Sequence, residues 1–473
     1  MNPEIIIKGS RGENRKKRSF FSQPLRVICL SFALVILVGT ILLCLPISSK
    51  SREVTPLVNS LFTATSATCV TGLITYDTFT HWSRFGQIVI ILLIQVGGLG
   101  LVTFSTFFTV IAGKKLGLRE MQLAQESINF GSMANINKML MGIVGTVLAC
   151  EGIGALLMST AFIPRYGVGE GIYISCFLAV SAFCNAGFDI LGFQGQFNAG
   201  FDVLGRESEY ISLCNYNGVP IVMYTIMALI VVGGLGFVVW KDIASYRSSK
   251  KLTLQSRVVL SMTALLILSG ALFFWAYEWN NTMSGLSFGE KITAGLFQSV
   301  TCRTAGFNSI DQATLNPISK GISTMLMFIG AAPGSTGGGV KITTFSVLIM
   351  TVASVLRGRE EVVMWNRRVD KSVVYKAVTI VVCAAALVLV ASFIISFLLP
   401  QCAFLDIIFE CTSAFATVGL SSGVTGEADT ISKLILTLLM YLGRVGPVSF
   451  ALSLVAGSGS RKEIMPEGKI VVG

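Results

Sequence analysis

Four times along the chain a long apolar run is followed by a short one, a glycine turn and a second long run. Polar segments rich in Lys and Arg separate these sets. The first long run, 25–46, matches the about 20 residues a helix needs to cross a hydrocarbon core. Signal peptides also carry basic flanks, but their apolar core is only about 7–15 residues. The run therefore reads as a retained first transmembrane helix behind a basic tail, 1–24. The short run 56–68 would cover roughly 18 Å as a helix against a core of about 30 Å, so it must dip in and return. Non-helical backbone at that depth is tolerated only inside protein or beside a watery cavity. The turn at its end should therefore face a pore, before a second long run at 85–111.

The same reading applies three more times. Long, short and long runs fall at 138–163, 170–183 and 217–240, then at 257–278, 288–301 and 318–350, and last at 373–399, 403–415 and 431–455. The pattern predicts an all-α polytopic membrane protein of four tandem helix, re-entrant pore loop, helix repeats around one pseudo-fourfold pore, with eight transmembrane spans. Repeat 1 is 25–111, and repeat 2 with a preceding cytoplasmic loop is 112–240. Repeat 3 is 241–350, with an intramembrane loop at 330–341, and repeat 4 is 351–456. The tail 457–473 is too short to fold as a domain, so regulation by a nucleotide is expected to come from a partner.

The turns themselves are related. Ala67-Thr68-Cys69-Val70-Thr71-Gly72-Leu73 has counterparts in Ala182-Phe183-Cys184-Asn185-Ala186-Gly187-Phe188, Thr301-Cys302-Arg303-Thr304-Ala305-Gly306-Phe307 and Ala414-Phe415-Ala416-Thr417-Val418-Gly419-Leu420. Their recurrence at nearly equal intervals is the signature of repeated units in one chain. A desolvated cation needs oxygen ligands to replace its water, and rings of backbone carbonyls from four loops supply them. Glycine reaches the required backbone angles without steric cost, and each short helix points its partly negative C-terminus at the same place. The ion-binding candidates are therefore Cys69, Val70, Thr71 and Gly72; Cys184, Asn185, Ala186 and Gly187; Arg303, Thr304, Ala305 and Gly306; and Ala416, Thr417, Val418 and Gly419.

Composition agrees with a membrane protein, at 53% hydrophobic and 13% charged against about 25% charged in soluble domains. The net charge of +11 matters less than its distribution. Segments 1–24, 112–136, 241–257, 351–372 and 457–473 hold most of the 36 Lys and Arg, which places both termini in the cytoplasm and argues against nucleic-acid binding. In the alternate segments acidic residues outnumber basic ones. That imbalance fits either an anionic vestibule that concentrates cations or ordinary solvated loops. The eleven cysteines sit mostly in apolar runs with a single histidine, His81, so buried free thiols are expected rather than disulfides or zinc.

Over nearly its whole length the chain resembles the Trk/Ktr/HKT superfamily of potassium and sodium transporters, most closely the membrane subunit of the bacterial Ktr type, KtrB. The resemblance is carried by the single span before the first pore loop, by Arg303-Thr304-Ala305-Gly306-Phe307-Asn308, and by Pro466-Glu467-Gly468-Lys469-Ile470 near the end. It implies potassium bound at the filter carbonyls, since some plant relatives that prefer sodium carry serine at the first filter position. It further implies a homodimer in the lipid of a bacterial cell membrane, seated on a nucleotide-binding cytoplasmic ring of KtrA-type subunits. No covalent cofactor is implied, and activation by sodium is left open.

The third inner run departs from its siblings. It reads Gly330-Ala331-Ala332-Pro333-Gly334-Ser335-Thr336-Gly337-Gly338-Gly339-Val340-Lys341, where the first two repeats have Gly97-Gly98-Leu99-Gly100 and Gly233-Gly234-Leu235-Gly236. This composition cannot continue a lipid-exposed helix. The segment resembles a phosphate-binding glycine loop, but one residue too many precedes Lys341 and no strand comes before it. By resemblance Gly334, Ser335, Thr336, Gly337, Gly338, Gly339 and Lys341 form a mobile gate; a static kink is the alternative. Arg444, in Leu442-Gly443-Arg444-Val445-Gly446, costs about 2.5–3.5 kcal/mol at the bilayer centre and must face the pore or a polar partner. By resemblance it is a barrier below the filter, bonded near Ser335 and Thr336; a structural pair with a carboxylate is the alternative. Arg303 would repel cations if it pointed into the ion path. It is expected behind the filter, braced by Asp189, Asp311 or Glu410.

The reading that follows is a channel-like potassium-translocating subunit. The competing one is a sodium- or proton-coupled carrier, a class that tends to show intramembrane carboxylates and inverted repeats. Here the repeats run in the same sense, and Glu151 is the clearest carboxylate within a span. No acid, base or metal cluster suggests an enzyme.

Overall fold

The computed structural model describes residues 24–100, 136–192, 212–359 and 361–446. Four long helices and four short ones alternate: α1 (Pro24–Cys44) with α2 (Leu57–Cys69), α4 (Ile136–Tyr166) with α5 (Val168–Cys184), α8 (Leu254–Glu278) with α9 (Phe288–Thr301), and α12 (Lys371–Leu398) with α13 (Phe404–Ala416). Side chains at the starts hold several of them. Thr253 accepts from the Ser256 amide at α8, Asp370 from the Ser372 amide at α12, and Ser287 with Glu290 forms a reciprocal capping box at α9, each satisfying amides that lack intrahelical partners.

Each short helix leads through a turn to a further helix: α3 (Arg84–Leu99), α6 (Pro220–Leu235), α10 (Pro317–Phe328) and α15 (Thr430–Val445), the last after a single turn, α14 (Val424–Glu427). These inner helices link the sets. The first packs on the second set's short helix, α3 on α5, and likewise α6 packs on α9 and α10 on α13, while α15 returns to α2, so the chain closes on itself. The short helices are the most enclosed, with Phe62, Phe177, Phe183, Phe297, Phe409 and Phe415 all almost fully buried. The long helices turn apolar side chains outward, such as Leu34, Leu37 and Ile41 on α1 and Phe393 and Phe397 on α12. Lipid tails are as apolar as leucine, so close packing rather than water exclusion must hold such helices together.

The inner runs are shorter than the hydrophobic pattern predicts. Among the described residues four helices are long and apolar enough to cross a bilayer by themselves: Arg26–Cys44, Leu140–Tyr166, Leu254–Glu278 and Lys371–Leu398. The pair Pro220–Leu235 and Phe237–Arg247 would make a fifth if counted as one span bent by 96°. The run read as 217–240 is thus broken at Gly236, beyond which α7 (Phe237–Ser249) leaves in a new direction. The runs read as 85–111 and 431–455 stop as helices at Leu99 and Val445, and their remainders lie outside the described residues. Gly100, Gly236 and Gly446 have φ of 80°, 88° and 90°, angles that a side chain resists. At Gly236 the cause is contact: the Phe237 amide donates to the Gly334 carbonyl at 2.9 Å, and a β-carbon on Gly236 would lie 2.8 Å from the Pro333 oxygen.

The run 318–350 breaks at 330–341 as its composition predicts, resuming in α11 (Ile342–Leu356). After α11 a two-stranded hairpin, β1 (Val363–Met364) and β2 (Arg367–Arg368), pairs Val363 with Arg368 and Met364 with Arg367. None of the eleven cysteines forms a disulfide, but Cys176 and Cys383 are exposed rather than buried.

Candidate ion filter and gate

The four turns meet. A β-carbon added to Gly72 would lie 3.2 Å from the Gly187 Cα, one on Gly187 would lie 2.9 Å from Gly306, one on Gly306 3.2 Å from Gly419, and one on Gly419 2.9 Å from Gly72. The glycines therefore form a closed ring in chain order, each touching the next, with φ of 98°, 69°, 83° and 95°. Two residues before each glycine stands a non-glycine residue in the left-handed region: Val70 (φ 59°), Asn185 (φ 60°), Thr304 (φ 67°) and Thr417 (φ 52°). For β-branched residues this conformation is costly, about 1–3 kcal/mol each, and persists only where the surroundings enforce it. The same strained register in all four turns gives the loops one shape.

Local hydrogen bonds explain that shape. The amides of Thr71, Ala186 and Val418 donate back to the carbonyls of Ser66, Ser181 and Ser413 at 2.8, 2.8 and 2.9 Å, and that of Ala305 to Thr301 at 3.0 Å. The loop donors are thus consumed by their own short helices. The carbonyls of Val70, Thr71, Asn185, Ala186, Thr304, Ala305, Thr417 and Val418 accept no hydrogen bond among the described residues, which leaves a set of oxygens able to receive a cation. The filter candidates, Cys69, Cys184 and Ala416 included, are all buried.

Sequence reasoning missed the hydroxyls that hold the turns. Ser66 Oγ accepts from the Gly72 amide and Ser413 Oγ from the Gly419 amide, both at 3.0 Å, while Thr301 Oγ1 donates to the Phe307 carbonyl at 2.8 Å. The signal was present, since Ser66, Ser181 and Ser413 each stand six residues before the glycine of their turn. Ser66→Ala with Ser413→Ala is expected to lower the melting temperature through about 1 kcal/mol for each lost bond. Thermal unfolding of the purified protein, compared with Ser60→Ala, whose Oγ has no partner, checks this. Equal melting temperatures for the two variants would remove the role.

The segment 330–341 lies directly against the ring. A β-carbon on Gly337 or Gly338 would run into the Thr304 or Thr417 hydroxyl. It is tied at both ends: the Gly330 amide donates to the Val340 carbonyl at 2.8 Å and the Ile342 amide to Ala331 at 3.2 Å. Contacts to the second set add to this, with the Ala332 amide on the Gly234 carbonyl of α6 at 3.0 Å and Thr336 Oγ1 on the Phe183 carbonyl of α5 at 3.2 Å. Ser335 Oγ donates to Ala332, and Lys341 Nζ to the carbonyls of Gly337 at 2.6 Å and Gly338 at 3.4 Å. Arg444 reaches across, donating to the carbonyls of Thr336 and Gly97, with Gly98 at 3.4 Å. It pairs with no carboxylate among the described residues, so it links the loop to the first inner helix.

Arg303 is a correction. It is buried, but none of the three carboxylates pairs with it. Asp189 accepts from the Leu191 amide at 3.1 Å, Asp311 from the Ala313 amide at 2.9 Å, and Glu410 from the Ser422 amide at 3.2 Å, from Ser421 and from Thr425. Each is occupied by its own loop. The Arg303 Nε has no hydrogen-bond partner, and the side chain lines a small crevice with Ile230, Thr263, Ile267, Val300 and Ala331. In the loop after the first turn, burial raises the Asp77 pKa while bonds from Thr80 and Phe79 and the charge of Lys50 pull it back.

A family model described as TrkH, cation transport protein, matches residues 5–462. The chain belongs to this family. It is therefore a cation transporter and not an enzyme. The TrkH-family chain is 38% identical over 456 residues to the potassium/sodium uptake protein NtpJ of Enterococcus hirae, across 95% of this chain and 97% of that protein. It is 37% identical over 454 residues to the Ktr system potassium uptake protein B of Bacillus subtilis, again across 95% and 97%. The potassium transporter TrkH from Vibrio parahaemolyticus shares its fold with a TM-score of 0.68 at 15% identity, over 95% of this chain and 87% of that one.

Proposed function

We propose that this protein is the potassium-translocating, channel-like subunit of an uptake system in a bacterial cell membrane. The observation that carries the reading is the closed ring of Gly72, Gly187, Gly306 and Gly419 with its unpaired carbonyls. Potassium would be held there by the carbonyls of the four loops, in a pore fourfold at the filter, with eight crossings once the broken inner helices are counted. The names of the relatives in Enterococcus hirae and Bacillus subtilis support potassium as cargo. Residues 330–341 form the gate and Arg444 the charge that both holds it and opposes cation passage. Both termini lie in the cytoplasm, and the subunit works as a homodimer on a nucleotide-binding KtrA-type ring, with sodium as an activator.

One observation favours a coupled carrier. Glu151 on α4 is buried, with Gln95 Nε2 at 3.4 Å and Cys184 of the second turn beside it. A carboxylate there could carry a proton or hold sodium during transport. Flux through reconstituted protein, with opposed potassium and sodium gradients and the membrane potential clamped, separates the readings. The channel reading expects potassium to follow its own electrochemical gradient whatever the sodium or proton gradient. Uphill potassium movement driven by either of those gradients would establish the carrier, and absence of potassium flux in every condition would overturn both.

A further inference from the structure

Below α11, away from the filter, the chain builds a cavity of about 200 Å³ that the transport reading does not use. Its wall contains Arg359, Arg368, Lys371, Glu361, Ser354 and Tyr375. We propose that this cavity binds the phosphate group of an anionic phospholipid in the cytoplasmic leaflet.

Three features carry the assignment. The first is charge. Glu361 pairs with Arg368 at 2.9 Å, and among the described residues Arg359 and Lys371 form no ion pair. The described wall therefore holds three basic side chains against one acidic one, with Arg357, Arg367 and Lys376 exposed nearby. The second is rigidity. The Arg359 amide is tied to the Ser354 carbonyl at 2.9 Å, and the Val369 amide closes on Val362 at 2.9 Å. Trp365 and Asn366 form a tight turn with φ of 44° and 59°, the geometry of a two-residue hairpin. Met364 plugs the hairpin into a cluster with Val258, Val347 and Ala377. The cations are thus held on a fixed frame, and the α12 N-terminus is already capped by Asp370. The third is position. The helices flanking the cavity expose Val352, Val355 and Leu356 on one side and Tyr375, Val378 and Val382 on the other. Apolar surface gives way to basic surface here, with Trp365 and Tyr375 exposed at the change, as at a membrane interface. Basic pockets between membrane helices on the cytoplasmic side suit lipid headgroups.

The inference rests on the cytoplasmic placement of 351–372, but its test does not depend on ion flux. The full-length protein is extracted from vesicles of equal parts phosphatidylglycerol and phosphatidylcholine, and retained lipid is read by native mass spectrometry. The wild type is expected to keep phosphatidylglycerol selectively, and R359Q/K371Q to lose it by about fivefold for each cation removed. R359K/K371R should retain it and E361Q should retain more, which separates charge from a folding defect. Equal retention by wild type and R359Q/K371Q would overturn the proposal, as would equal retention of the two lipids. Displacement of the lipid by millimolar inorganic phosphate alone would reassign the cavity to free phosphate. Unchanged lipid retention combined with loss of binding to a cytoplasmic protein subunit would reassign it to a protein contact.

Discussion

Replacing Gly72 or Gly306 by serine is expected to lower potassium over sodium selectivity about tenfold, read as rubidium uptake into vesicles against competing sodium. The new β-carbon has nowhere to go. At Gly72 it would meet the Ala186 carbonyl at 2.5 Å and the Gly187 Cα at 3.2 Å, and at Gly306 the Val418 carbonyl and the Gly419 and Gly187 Cα atoms. The positive φ adds roughly 1–2 kcal/mol at each site, and 1.4 kcal/mol is a factor of ten in an equilibrium. The collision pushes one loop from the next, so the ring must open on one side. A wider, irregular set of oxygens no longer matches the dehydrated ion for which it was shaped. Gly423→Ser is the control, because its φ of 106° carries the same strain with nothing within 4 Å. Unchanged sodium competition in both filter variants would remove these glycines from the ion path.

The second large effect is expected at Arg444. Arg444→Ala should raise basal flux tenfold or more, for two separable reasons. A unit charge about 10 Å from a cation at an effective dielectric constant of about 20 opposes it by about 1–2 kcal/mol. The same side chain also ties the Thr336 carbonyl to the Gly97 and Gly98 carbonyls, and its loss frees the loop from the first inner helix. Arg444→Lys distinguishes them, since lysine keeps the charge but loses the planar fork that reaches several acceptors. If the barrier is the charge, lysine restores low flux; if it is the tether, lysine stays leaky. Shortening 331–339 should also raise basal flux. Neutral results for both Arg444→Ala and the shortened loop would make 330–341 a static kink.

Much of this site was legible in the sequence because it is written in local chemistry. The short apolar runs 56–68, 170–183, 288–301 and 403–415 became helices within a few residues of those limits, since each stops at a glycine turn, and the third also starts at the Ser287–Glu290 capping box. The four turns were recognisable because each repeats the same backbone need. The break at 330–341 followed from its proline and five glycines, which no lipid-exposed helix can carry. Arg303 was legible as buried but not as unpaired. Choosing between Asp189, Asp311 and Glu410 required knowing that loop amides and hydroxyls had already claimed all three.

The amino-acid sequence by itself determined the number of hydrophobic runs, the four turns, the sites of local breakage and the asymmetry introduced by residues 330–341 and Arg444. These depend on periodicity, run length and the backbone freedom of single residues, which act over a few positions. Only the tertiary structure decided that the four glycines touch in a closed ring and that α6 turns at Gly236 against the Pro333–Gly334 carbonyls. It alone decided, too, that Arg444 joins residues far apart in the chain, Gly97 and Thr336. Each of these is a contact between backbones of distant segments. Backbone carbonyls are the same in every residue, so no pattern of side chains announces which of them will meet.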